Sequence, residues 1–235
     1  MDLKDKVVLV TGGSSGIGTA IAQALKEKGA KIIITGRNKE KLEDVAEENG
    51  FRGIQSDVSI EDNVMELFSI IKKEYGRLDA LINNAGYGYF DLLENVDLER
   101  FNSVYNTNVA GAMLAAREAS KIFKKQNNGA IINIASTAAT KGFVGGTPYV
   151  ATKFALRGMT ECWRAELRPY NVRVILINPS EVQTSFVENS GREKRNFNPT
   201  KLISEDIAHS VVSALEMDDR GFITELTVFA TNPKD

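Results

Sequence analysis

The sequence predicts an α/β fold, a parallel sheet covered on both faces by helices. Three observations carry this. Short apolar runs alternate with helical patterns along nearly all of the 235 residues. The first run, Val7–Val10 (VVLV), is apolar at every position, as in strands buried on both faces. A glycine-rich turn, TGGSSGIG at Thr11–Gly18, then joins that strand to a helical pattern, the order of a βα unit.

Each element has its own justification. Ile17–Gly29 has Ile21, Ala24 and Leu25 on one helical face and a glycine at its stop. Lys31–Thr35 is a second strand, Lys39–Glu48 a charged helix and Phe51–Ser56 a weaker third strand. Ile60–Tyr75 places Val64, Leu67, Phe68 and Ile71 in a helical stripe. Leu78–Ile82 and Ala130–Ile134 are buried strands, the second entered through the turn residues Asn127, Asn128 and Gly129. Between them, residues 98–123 form one long helical pattern, and its Ala112, Ala115, Ala116 and Ala119 would let a partner helix approach closely. Pro148–Leu167 is a helix with Thr147 as its cap and proline at its first position. Val172–Ile177 is a sixth strand, Ser204–Leu215 a helix and Phe222–Phe229 a last strand. Residues 181–201 form the one long irregular loop, a length that usually carries function or disorder.

Composition narrows the function. With 29 Lys and Arg against 31 Asp and Glu, the net charge of -2 speaks against nucleic acid, which needs a basic face. One cysteine, Cys162, excludes an internal disulfide and a thiolate metal cluster and fits a cytoplasmic setting. No apolar run reaches the roughly 20 residues that span a bilayer, and MDLKDKVVLVTGG lacks the regions of a signal peptide.

The glycine turn has the spacing G-x-x-x-G-x-G at Gly12, Gly16 and Gly18. It is either a tight βα turn with no ligand or a pyrophosphate cradle at a helix N-terminus; its place after the first strand favours the cradle. Sites of that kind carry an acidic residue roughly 20 residues on, to hold a ribose hydroxyl. Here the second strand runs into ITGRN, with Gly36 where the acid would stand and Arg37 next to it. Arg37 is either a solvated surface arginine or a two-point partner for a 2′-phosphate, which would favour NADP(H) while leaving NAD(H) possible.

Tyr149 and Lys153 lie four residues apart, on one face of the Pro148 helix. A free phenol titrates near 10, and an adjacent ammonium and the positive helix end favour its ionised form. Such a phenol can exchange a proton with a carbonyl or alcohol oxygen, although the same pair on many helices is plain packing. Ser136 ends NIAS after the fifth strand, NNAG (residues 83–86) ends the fourth at the same edge, and Asn108 sits mid-helix in NTNVAG, where propensity disfavours it.

Taken together, TGGSSGIG, Asp57 in SDVS, NNAG, Asn108, Ser136, Tyr149 with Lys153, and Pro179 resemble the short-chain dehydrogenase/reductase family, over nearly the whole chain. The resemblance implies a single Rossmann-type domain over residues 1–235, a doubly wound sheet of about seven parallel strands, and a nicotinamide cofactor. It implies Tyr149 as proton donor or acceptor, Lys153 beside it and on the nicotinamide ribose, Ser136 on the substrate oxygen, and Asn108 holding a relay water. The cofactor would meet Gly12, Ser14, Ser15, Gly16, Ile17 and Gly18 of the turn, and Arg37, Asp57 and Val58 towards the adenosine. Further along it would meet Asn84, Ala85 and Gly86, then Pro179, Val182 and Thr184 at the nicotinamide. No metal is implied.

Two features differ from the family's pattern: Ser180 replaces the glycine that usually follows Pro179, and the chain ends ELTVFATNPKD without a glycine pair. The reading is a small-molecule oxidoreductase without nucleic-acid or membrane partners, a homodimer or homotetramer reducing a ketone or aldehyde with NADP(H). Reduction of a 3-oxoacyl thioester, NAD-linked alcohol oxidation and a non-catalytic nucleotide-binding protein are the alternatives. Tyr87, Tyr89, Phe90, Phe143, Val144 and Phe186 are pocket candidates and residues 180–201 a substrate loop, whose Arg192, Lys194 and Arg195 are either an attraction for an acidic substrate or, the favoured reading, a solvated charge run. His209, Cys162 and Trp163 are surface or packing residues.

Overall fold

A computed structural model describes residues 1–191 and 196–234, so Arg192, Lys194 and Arg195 lie outside the described residues. Seven parallel strands form one sheet in the order β3-β2-β1-β4-β5-β6-β7. They are β1 Val7–Thr11, β2 Lys31–Gly36, β3 Arg52–Gln55, β4 Ala80–Asn83, β5 Gly129–Ile134, β6 Val172–Pro179 and β7 Glu225–Val228. The order reverses between β1 and β4, where Leu9 pairs with Leu81 on one side and Ile33 on the other. Open α/β sheets bind ligands at such a reversal, beyond the carboxyl ends of the strands.

The apolar pattern of β1 explains the layering. Side chains alternate faces along a strand. Val8 and Val10 join a core with Ile21 and Leu25 of α1 (Gly16–Glu27), Leu42 of α2 (Lys39–Asn49) and Ile207 and Val211 of α8 (Ser204–Glu216). Val7 and Leu9 face the opposite core, with Leu67 and Ile71 of α3 (Glu61–Tyr75) and Ala115 and Phe123 of α5 (Ala112–Gln126). Burial on both faces is why these strands lack polar alternation.

Four local expectations are corrected. The long helix of residues 98–123 is divided: α4 (Leu98–Tyr105) and α5 are joined by a π-helical turn, Asn106–Gly111, containing Asn108. Thr147 does not cap α6 (Thr147–Leu167); Gly146 stands at the cap without a side-chain bond, and Pro148 occupies the first turn. The alanine stripe faces inward, with Ala112, Ala115, Ala116 and Ala119 all buried against the chain's own sheet and α6, so it offers nothing to a partner. The long loop contains a short helix, α7 (Phe186–Asn189), and Val182 bridges Leu202. Cys162 is exposed on α6 and His209 exposed on α8, whereas Trp163 packs between two cores. No helix among the described residues is long and apolar enough to cross a membrane.

Candidate active site

At the strand-order reversal a crevice of about 1490 Å³ opens along the carboxyl edge of the sheet. Its floor is the glycine turn. Gly12 and Gly16 hold φ of +64° and +53°, a region where a Cβ is strained, and a Cβ on Gly12 would lie 2.9 Å from Cα of Ala85. Gly18 does not line the crevice: a Cβ there would meet the Gly12 carbonyl oxygen at 2.3 Å, so its role is close packing of α1 under the turn. Ser14, Ser15, Gly16 and Ile17 complete this wall. The first turn of α1 has neither a side-chain cap nor an acidic residue, so among the described residues no side chain answers its amide donors and positive end.

Thr11 locks this turn to β4. Its hydroxyl donates to the Ile82 carbonyl at 3.3 Å and accepts from the amides of Asn84 and Ala85, both at 3.1 Å. Asn84 answers with its side-chain Nδ2, which donates to the carbonyls of Thr11 and Gly12 at 3.1 Å. The side chain of Asn84 therefore supports the glycine turn, and Ala85 and Gly86 present backbone to the crevice beside it.

One end of the crevice, beyond β2 and β3, is polar and charged. Arg37, Asp57 and Val58 line it together with Asn38 and Lys41, two residues sequence reasoning did not single out. Their signal was local: Asn38 caps α2 by accepting from the Lys41 amide at 3.0 Å, which sets Lys41 in the first turn. Asp57 accepts from the amide and hydroxyl of Ser59 at 2.9 and 2.7 Å, an Asx turn that holds its carboxylate in place. A Cβ on Gly36 would lie 2.9 Å from Oγ of Ser14, so a carboxylate-bearing residue does not fit there without displacing that serine. Two buried hydroxyls at this end, Thr35 Oγ1 and Ser56 Oγ, have no hydrogen-bond partner among the described residues. Uncapped helix amides, orphaned hydroxyls and a cationic end together fit the phosphates and polar nucleoside of a dinucleotide.

The other end carries Ser136, Tyr149 and Lys153. Ser136 lies just beyond β5, where its Oγ accepts from the Ala138 amide at 3.1 Å. Tyr149 stands in the first turn of α6, near the positive helix end. Lys153, one turn later, is buried; its Nζ donates to the Ile134 carbonyl at 3.0 Å and lies 5.5 Å from the Tyr149 ring centroid. Burial pulls the lysine down from 10.5 to about 8, so at neutral pH it still carries its proton.

Pro179 at the end of β6 and Val182 and Thr184 in the loop after it close this end. Ser180, between them, has no positive φ and donates its amide to the Val228 carbonyl at 2.9 Å, so a serine sits there without strain. Thr184 packs its side chain 3.4 Å from the Cβ position of Gly16, bringing the loop onto the turn.

Asn108 is near this constellation without lining the crevice. Its Oδ1 accepts from the Tyr87 amide at 3.0 Å, and its Nδ2 donates to the Tyr87 carbonyl at 2.9 Å and to Thr152 Oγ1 at 3.1 Å. Of the pocket candidates, Tyr87, Phe90, Phe143 and Phe186 line the crevice. Tyr89 and Val144 do not: Tyr89 is buried, its hydroxyl accepting from the Asp97 amide at 2.9 Å under the Arg100 guanidinium, and Val144 is turned to solvent.

This is a Rossmann-like parallel sheet with a phenol and an ammonium beside the crevice at its carboxyl edge. Residues 6–195 match the short chain dehydrogenase family, and the chain belongs to that family of oxidoreductases. It is 35% identical over 232 residues to an uncharacterized oxidoreductase of Staphylococcus aureus strain USA300, covering 96% of this chain and 97% of that one. Among solved structures it is similar to the closed form of serine dehydrogenase complexed with NADP+ (TM-score 0.91, 29% identity, 97% of this chain and 96% of that one). It is also similar to a metagenomic short-chain oxidoreductase in complex with NADP (TM-score 0.85, 30% identity, 99% and 100%). An alcohol dehydrogenase of the archaeon Thermococcus sibiricus, complexed with 5-hydroxy-NADP, has a TM-score of 0.89 at 26% identity, covering 99% and 100%.

Proposed function

We propose that the protein reduces a ketone or aldehyde to an alcohol with NADP(H), reversibly, and that the whole chain works as one catalytic unit. The observation that carries this is the shared crevice: Tyr149, with Lys153 on the same helix face, stands on the same continuous wall as the glycine turn. A nicotinamide bound there supplies the hydride that the carbonyl carbon takes up. The chain does the rest. Tyr149 gives its phenolic proton to the carbonyl oxygen, and the ammonium of Lys153 favours the phenolate left behind. Ser136 holds the same oxygen with its hydroxyl and so fixes the carbonyl for attack. Asn108 acts as a positioning residue, because its side chain ties the backbone of Tyr87 to Thr152, whose hydroxyl donates to the Tyr149 carbonyl at 2.7 Å.

The preference for NADP(H) over NAD(H) rests on the absent acid at Gly36 and on the two cations at that end, Arg37 and Lys41. The backbone of residues 84–86, the amides of the α1 N-terminus, Asp57, Val58, Pro179, Val182 and Thr184 would hold the remainder of the dinucleotide. The loop of residues 180–201 bears on the substrate through Phe186. Assembly into a homodimer or homotetramer is supported by exposed Leu98 and Tyr105 on α4 and Phe154 on α6, now that the alanine stripe is accounted for. A lone exposed thiol, Cys162, suits the reducing cytoplasm.

The test is oxidation of NADPH and NADH, followed optically, across ketones, aldehydes and 3-oxoacyl thioesters. Turnover with NADPH that disappears in Tyr149→Phe while NADPH binding persists supports the reading. Turnover indifferent to that change overturns it.

A further inference from the structure

We propose that the carbonyl substrate carries an aryl or comparable flat apolar group, recognised by a strip of four aromatic rings in which Tyr149 is the third. This rests on the carbonyl-reductase reading and names its substrate class. The ring of Phe143 lies 6.0 Å from Phe90, Phe90 lies 5.3 Å from Tyr149, and Tyr149 lies 5.5 Å from Phe186. These rings come from four separate segments: the loop after β4, the loop before α6, α6 itself and α7. All four line the crevice.

The strip depends on backbone that makes room for it. A Cβ on Gly88 would lie 2.4 Å from Cε2 of Phe90 and 3.0 Å from Cζ of Phe186, so the chain passes under both rings only because that residue is glycine. A Cβ on Gly146 would likewise meet Cε2 of Phe143 at 2.9 Å. Phe143 is 51% exposed, which places an apolar ring at the open mouth of the strip.

Among the described residues, most charge in the crevice lies away from the strip or is paired within the protein. Arg37, Lys41 and Asp57 are gathered beyond β2 and β3, away from Tyr149. Lys153 is buried and bonded to Ile134. Glu181 pairs with Lys201 at 3.3 Å; Lys141, exposed among the crevice residues, is the exception, and turnover of levulinate reads its pull on an anion. A carbonyl oxygen on the Tyr149 hydroxyl therefore has its carbon substituents beside flanking rings, where a flat apolar group gains ring-to-ring contact and a carboxylate loses its water. Hydride addition to the carbonyl carbon and the Tyr149 proton on oxygen yield the secondary or benzylic alcohol, with NADPH oxidised to NADP+.

The experiment compares acetophenone, butanone, levulinate and a 3-oxoacyl thioester with NADPH, in wild type, Phe143→Ala and Phe186→Ala. Expected is a kcat/KM for acetophenone at least about 10-fold above butanone, carried mainly by KM, with that ratio falling several-fold in each variant. Saturation-transfer NMR of acetophenone with the NADP+-loaded protein gives a readout independent of turnover: ring protons are expected to saturate, and less so in Phe143→Ala. Half-exposed Phe143 can be truncated with little risk to folding. Tyr149-dependent turnover of butanone, levulinate or the thioester at or above the rate of acetophenone overturns the aryl assignment and leaves the reductase reading standing. No Tyr149-dependent turnover of any carbonyl overturns both.

Discussion

Asn108 pairs with Tyr87 at two points: its side-chain amide accepts from the Tyr87 N–H at 3.0 Å and donates to the Tyr87 C=O at 2.9 Å. The amide mimics a neighbouring strand and holds the loop that carries Phe90. Asn108→Leu keeps the branched shape, leaves the Tyr87 N–H and C=O without a partner, and takes one donor from Thr152, whose own bond to the Tyr149 carbonyl remains. We expect a loss of about 2–3 kcal/mol in urea unfolding, together with a fall in kcat. Asn108→Asp, which still accepts from the Tyr87 amide, should recover part of the stability.

Lys153 makes a prediction in which function and stability part. Burial lowers its pKa from 10.5 to about 8. Below pH 8 the folded and unfolded chains both carry this proton, and the burial penalty is fully present. Between about 8 and 10.5 the folded chain binds fewer protons than the unfolded one, so this group makes stability rise with pH, by roughly 3 kcal/mol over the window. Lys153→Met should therefore raise stability at pH 7 by about 1–3 kcal/mol, allowing for the lost bond to Ile134. That advantage should shrink at pH 10, while reductase activity stays abolished. Urea midpoints at the two pH values check the sign.

Tyr149→Phe removes the phenolic oxygen and keeps the ring and its contacts with Phe90 and Phe186. Expected is a fall in kcat of about 100-fold or more, with NADPH affinity within a few-fold of wild type. Single-turnover mixing and equilibrium titration separate the two quantities.

On the proposed NADP(H) preference, Arg37→Ala should weaken NADPH by about 10-fold or more and leave NADH nearly unchanged, since a charge-assisted contact to the 2′-phosphate would be lost. Lys41→Ala should act in the same direction more weakly, because an ammonium is a point charge without a two-point fork. Fluorescence titration of both cofactors reads the ratio.

Gly12→Ala places a methyl 2.9 Å from Ala85 Cα on a residue with φ of +64°. A loss of about 1–3 kcal/mol from the strain alone is expected, with nucleotide binding lost beyond what stability explains. Thermal melts with and without NADPH check this, since bound ligand should shift wild type and not the variant.

Much of this architecture was legible before any coordinates. Strands such as Val7–Val10 announce themselves because burial on both faces demands apolar residues at every position. The Gly12–Gly18 turn was legible because backbone approach and positive φ leave few residues to choose from. Less legible was anything that depended on which neighbour a face meets. The alanine stripe looked the same whether a partner helix or the chain's own sheet would cover it, and the sheet does. Tyr89 and Phe90 are adjacent and chemically alike, yet one packs under Arg100 and the other touches Tyr149. The π-helical turn was invisible to a pattern reading because one extra residue per turn barely disturbs the apolar spacing, although it carries the asparagine that propensity had marked as out of place.

Local chemistry thus settled the alternating βα order, the tight glycine turn, and a tyrosine and lysine one helical turn apart, since each depends on residues close along the chain. Assembly of those pieces was a matter for folding in space. Only the crossing between β1 and β4 brings the turn to the edge where Ser136, Tyr149 and Lys153 emerge. Only packing between separate segments aligns Phe143, Phe90 and Phe186 with the phenol. Contacts between residues far apart in sequence are selected by the shape and burial of the whole, and no short stretch contains that information.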